Sequence, residues 1–159
     1  MESQKHEIET VNDLIKTTID SVDGYRAAGE DANSGQFQSI FFDRANERSN
    51  VADRLAQHVR QLGGTPTDNG SIVAGAHRAF MNLRDAVTGT DDKAIVAEVE
   101  RGEDHIKARF ETAMTDNDLS TETRDLIGQC YDSVKQGHDQ MRDLKHGLQA
   151  NPSVMPSST

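Results

Sequence analysis

The sequence predicts an all-α protein built as a bundle of four long helices, and three observations predict it. Apolar residues recur at three- and four-residue intervals along most of the 159 residues, the spacing that lines one face of a helix. Apolar content is 34% and aromatic content 4% with no Trp, too lean for a β-sandwich core but sufficient for helices that each bury one stripe. Breakers and caps stand where long rods would end: Asn33-Ser34-Gly35, Gly63-Gly64, Gly89 and Ser120.

The first helix carries Ile8, Val11, Ile15, Ile19, Val22 and Tyr25 and runs to about Ala32. The second carries Phe37, Ile40, Phe41, Val51, Leu55, Val59 and Leu62, and Gly63-Gly64 stops it. Pro66 and Asn69-Gly70 make a loop, after which Ser71 caps a shorter segment with Val73, Ala76, Phe80, Leu83 and Val87. A further long helix begins near Asp91, where acidic residues suit the helix dipole, and shows Ile95, Val96, Val99, Ile106, Phe110 and Ala113. Ser120 caps the last, with Glu122 in its first turn and Ile127, Cys130, Val134, Met141 and Leu148 along its face.

The long segments are each roughly 25 to 30 residues, about 40 Å at 1.5 Å per residue. Short hairpins join the first pair and the last pair, while Gly63 to Thr90 is long enough to travel back along the bundle. That connectivity is ferritin-like, with its single long crossover. The expected architecture is a ferritin-like four-helix bundle over residues 1–150, its long crossover carrying a short fifth helix, with a flexible tail over 151–159.

The formal charge of −10, from 17 basic and 27 acidic residues, excludes nucleic acid and anionic membranes as partners by repulsion. No stretch approaches 18 apolar residues, the start lacks an apolar run, and Cys130 is alone. A cytoplasmic protein without disulfides is therefore expected, with Cys130 an inert core residue.

A ferritin-like bundle invites a di-metal centre, for which one Glu on each of two helices joins a Glu-x-x-His pair on each of the others. By helical rotation Glu103 lies about 40° from the centre of its stripe and His138 about 60°, both inward. Glu47 lies at the margin of the second helix, and Asp23 and Glu30 on the flanks of the first. The set Asp23, Glu30, Glu47, Glu103 and His138 is thus the available ligand set for iron or another divalent metal. It is degenerate: Glu47 is followed at three residues by Asn50, and His138 is preceded at three by Lys135. Arg44 and Arg48 also turn inward, and guanidinium groups there oppose metal cations and claim the same carboxylates. The preferred expectation is no cofactor and a hydrogen-bonded polar layer of Arg44, Arg48, Glu103 and His138.

Gly29, Gly102 and Gly137 lie inside helices, each at a cost of about 1 kcal/mol against Ala, so each needs a reason. Close packing is the ordinary one, and space for a small ligand beside Glu103 the sharper one. Phe42 points away from the core and, beside Ala45, marks a candidate dimer contact. No two His residues stand four apart, and no phosphate loop, dinucleotide fingerprint or nucleophile elbow occurs.

Two stretches carry a family likeness: Leu62-Gly63-Gly64-Thr65-Pro66-Thr67-Asp68-Asn69-Gly70-Ser71 with Ala76-His77-Arg78, and Glu98-Val99-Glu100-Arg101-Gly102-Glu103-Asp104. From about Val11 to Leu148 the chain resembles a bacterial ferritin-like four-helix-bundle family known as a domain of unknown function. The resemblance implies the ferritin-like fold and a cytoplasmic bacterial protein, and brings no catalytic residue. The function expected is non-enzymatic, through association with itself or with a protein partner, or a structural role. Metal binding and small-ligand binding are the alternatives.

Overall fold

The computed structural model describes residues 2–67 and 92–150. Within them run α1 (Glu2–Asp31), α2 (Gly35–Gln61), α3 (Asp92–Met114) and α4 (Thr121–Ala150), an all-α four-helix bundle with the helices where the apolar spacing sets them. The short helix expected between Ser71 and Val87 and the tail 151–159 lie outside the described residues. Among the described residues no helix is long and apolar enough to cross a membrane.

Local chemistry fixes the helix ends. Ser34 starts α2 by accepting the Phe37 N–H at 3.4 Å. Gly63 ends it in the left-handed region at φ 88°, letting Gly64 N–H turn back to the Val59 carbonyl at 2.9 Å. Ser120 caps α4, its Oγ accepting the Thr123 N–H at 3.2 Å.

These ends also set the directions of the rods. Asp92, at the start of α3, accepts the N–H groups of Asn33 and Ser34 at 2.8 and 3.0 Å, so α3 begins beside the α1–α2 turn. At the opposite end Gln4 donates to the Leu62 carbonyl, and Glu7 receives the Ser120 N–H at 2.8 Å. Hence α1 runs parallel to α4 and α2 parallel to α3. Each of α1 and α4 packs on both α2 and α3, which face each other diagonally. The link from Leu62 to Asp92 therefore joins opposite ends of the bundle, as the long crossover requires.

The core is divided in two. One apolar cluster gathers Val22, Phe37, Phe41, Val96, Val99 and Met141; the other gathers Val11, Ile15, Leu55, Ile106, Phe110 and Ile127. The seams of α3 (Val96, Val99, Glu103, Ile106, Phe110) and α4 (Thr123, Ile127, Cys130, Val134, Gly137, Met141) follow alternating three- and four-residue steps. Each seam is apolar except at Glu103, Thr123 and Gly137, and Glu103 and Gly137 belong to the site below. Cys130 is sealed in the second cluster, where burial pushes its thiol up.

The α4 cap belongs to a buried polar knot. Glu7 receives hydrogen bonds from Ser120 and from the Thr123 hydroxyl, and His58 Nε2 lies 2.7 Å from the same hydroxyl. Burial alone would raise the Glu7 carboxyl, but the hydrogen bonds from Thr123 and Ser120 outweigh it and hold it below the usual range. A carboxyl depressed in the folded state stabilises above its unfolded value of 4.5 and loses that contribution as pH falls through its lower folded value. Ser120→Ala is expected to cost about 1–2 kcal/mol, and Glu7→Gln to flatten the fall in Tm with acid below that pH. Thermal melts across the acid range, read by circular dichroism, check both.

Candidate functional site

Where the two apolar clusters meet, Arg48 projects from the middle of α2 and Glu103 from the middle of α3, diagonally across the bundle axis. Arg48 Nη2 donates to Glu103 Oε1 at 2.8 Å, with both side chains at 1% exposure or less. The guanidinium also donates from Nη1 to Ser21 Oγ at 2.8 Å and from Nη2 to the Val134 carbonyl at 3.2 Å. Glu103 Oε2 accepts the phenol of Tyr25, whose ring lies 5.6 Å from the Arg48 guanidinium carbon. All four helices thus contribute to one layer.

The layer is paired electrostatically. Burial works against the Arg48 charge, yet Glu103 and Tyr25 beside it hold its pKa above the ordinary value. Burial first, and then the Glu103 carboxylate, push the Tyr25 phenol well up, so it remains a neutral donor. Space for the guanidinium comes from Gly137: a Cβ there would overlap Nη2 of Arg48. The reason for a glycine at 137 is therefore an arginine: the close-packing reading holds at this position, with a guanidinium as the neighbour.

Arg44 and His138, expected in the same layer, turn elsewhere. Ala45 takes the axial position of its turn in α2, so Arg44 swings towards α4, donating from Nε to Gln140 at 2.7 Å and from Nη1 to Glu47. In α4 the axial position is Gly137, so its neighbour His138 faces the α3 flank. Its Nε2 lies 2.7 Å from Asp104 Oδ1 and its Nδ1 3.2 Å from Asp139. The error has one cause: a rotation of one residue, about 100°, separates axis from flank.

The alternative ligand set is likewise not assembled. Glu103 is held by Arg48, Glu47 by Arg44 and His138 by Asp104; Glu30 is exposed and Asp23 half-buried on α1. What His138 does meet is the pair Glu100 and Asp104, their ligand atoms and its own lying within 4.8 Å of one another. Lys145 Nζ, 3.3 Å from Glu100, already supplies a positive charge at that open flank. The four-residue spacing of Glu100 and Asp104 was the available signal for their shared face.

Tyr25 and Ser21 are the site residues that sequence reasoning did not assign. Tyr25 stands on the apolar stripe of α1, where its position alone gives no sign of the phenol's partner. Of the other helix glycines, Gly29 lies under the Phe42 ring, which a Cβ would overlap, and Ala45 is buried at 1% exposure. Ala45 is therefore not part of an outer contact face with Phe42.

Comparison with curated proteins finds no match. A family model, that of the domain of unknown function DUF2383, matches residues 6–116, from α1 to just beyond the end of α3. That span is well over half of the chain and holds Ser21, Tyr25, Arg48 and Glu103; the chain belongs to the DUF2383 family.

Proposed function

We propose that the protein is a non-enzymatic, cytoplasmic bundle of ferritin-like type that acts through association, with a second copy of itself as the first partner. One observation carries the reading: Arg48 and Glu103 form a sealed ion pair at 2.8 Å in the centre of the bundle. Di-iron bundles of ferritin-like type place their carboxylates and imidazoles in the bundle core. The residues here do not fit such a centre. A guanidinium keeps its charge, Glu103 already serves it and Tyr25, and Glu47 is tied to Arg44 nearer the surface. No step through iron is derived.

A centre so occupied leaves the outer surface as the acting part. Phe42 and Met114 are its large apolar side chains among the described residues, at 39% and 36% exposure. Sedimentation velocity of the full chain from micromolar to millimolar concentration is expected to show a dimer; a monomer throughout overturns the association. Loading with iron(II) followed by desalting is expected to leave less than about a tenth of an equivalent in the core. Retention of about two equivalents that Glu103→Ala abolishes would overturn the closed centre.

A further inference from the structure

A cavity of about 230 Å³ opens between α1 and α3 beside the central layer, and this inference goes beyond the reading above and stands without it. Its floor is the Tyr25 ring with Val99 and Ile106, and its walls include Gly24 and Gly102. Neither glycine is there to admit a neighbour: a Cβ on either would meet no atom within 4 Å. Gly29 and Gly137, by contrast, are filled by Phe42 and Arg48. Gly24 is half-buried and Gly102 exposed, so the pair leaves the mouth of the cavity open without adding to the packing.

Two carboxylate oxygens of the cavity lining, Oδ1 of Asp20 and one on Glu98, are buried without a hydrogen-bond partner. Glu98 has the exposed Arg101 at 2.7 Å as an ion-pair neighbour and Glu103 is held by Arg48, with His105 exposed at the rim. Burial, and then the Asp23 carboxylate, raise the Asp20 carboxyl to about 6. Between its unfolded value of 3.8 and that value the folded chain binds more protons, so stability falls as pH rises, and the whole penalty stands at pH 7. A carboxylate with a buried, unpartnered Oδ1 beside an apolar lining is matched by a cation with an apolar body.

We propose that this cavity binds a small organic cation, a primary ammonium on an apolar chain or ring, with Asp20 receiving the ammonium and Tyr25, Val99 and Ile106 covering the body. The volume is below the roughly 300–1,000 Å³ of pockets for drug-sized ligands, which sets the size class. Calorimetric titration of the full-length protein at pH 7.5 with phenethylamine, 2-phenylethanol and 3-phenylpropionate tests it. The amine is expected to saturate with Kd below about 1 mM, the alcohol to bind at least about tenfold more weakly, and the acid not at all.

Asp20→Asn is expected to weaken the amine at least about tenfold while raising the Tm of the free protein by about 2 °C or more, which separates lost binding from lost folding. Gly102→Leu, which fills the cavity from a position with open space, is expected to abolish binding with the fold intact. No saturable amine binding up to about 10 mM, equal binding of alcohol and amine, or amine affinity unchanged in both variants overturns the proposal.

Discussion

Arg48→Ala is expected to destabilise the protein by about 3–5 kcal/mol, the usual cost of breaking a buried ion pair from one side. At this chain length that lowers Tm by about 10 °C. The loss is larger than that of a surface ion pair such as Lys135–Asp139 because Glu103, at 1% exposure, is left charged without a counter-ion and without water. Replacing both partners gives a different outcome. Arg48→Met with Glu103→Leu is expected to recover most of the loss, since neither desolvated charge remains. Recovery stays incomplete where the Tyr25 hydroxyl and the Val134 carbonyl lose partners, each at about 1–3 kcal/mol. Urea unfolding followed by circular dichroism measures both variants against the parent. A single variant no less stable than the parent would remove the central role given to the pair.

Gly137→Ala is expected to destabilise by about 2 kcal/mol or more, although Ala is the better helix former by about 1 kcal/mol. The added methyl meets Nη2 of Arg48, the far end of a side chain that is itself held by Glu103, Ser21 and the Val134 carbonyl. Moving it aside breaks several hydrogen bonds at once. Gly102→Ala is the internal control, expected to stabilise by about 1 kcal/mol because nothing lies within 4 Å of its added carbon. The same substitution in two helices of one protein should thus change sign. Combined with Arg48→Met, which removes the guanidinium, the Gly137→Ala penalty is expected to shrink, and a double-mutant cycle reads that coupling directly. Additive losses would place the strain elsewhere.

A packing layer made this way has a consequence for register. Sliding α2 by one turn against α3 would put Arg44 or Ala52 opposite Glu103, and neither offers the same guanidinium in the space that Gly137 leaves. The apolar clusters on either side, rich in Val, Ile and Phe, are more tolerant of such a shift. The ion pair is made in one alignment of the diagonal helices and costs desolvation, the trade that buried polar residues make in some helical assemblies.

The sequence by itself determined the four described helices and their ends. Those features are local: a stripe at three- and four-residue steps, a Ser at the cap, a Gly at the stop. Ser34, Gly63 and Ser120 are each legible because their partners lie within four residues. It also placed Arg48 and Glu103 inside, since both sit on the seam itself. The tertiary structure alone decided which long side chains near that seam reach the axis. Arg44 and His138 were within one residue of it, and only the facing Ala45 and Gly137 show why they turn outward to Gln140 and Asp104. The role of Gly137 depends on an arginine 89 positions away. Helical periodicity fixes an angle to within about one residue, or 100°; a hydrogen bond is decided by a few tenths of an ångström, and only the packed helices supply that.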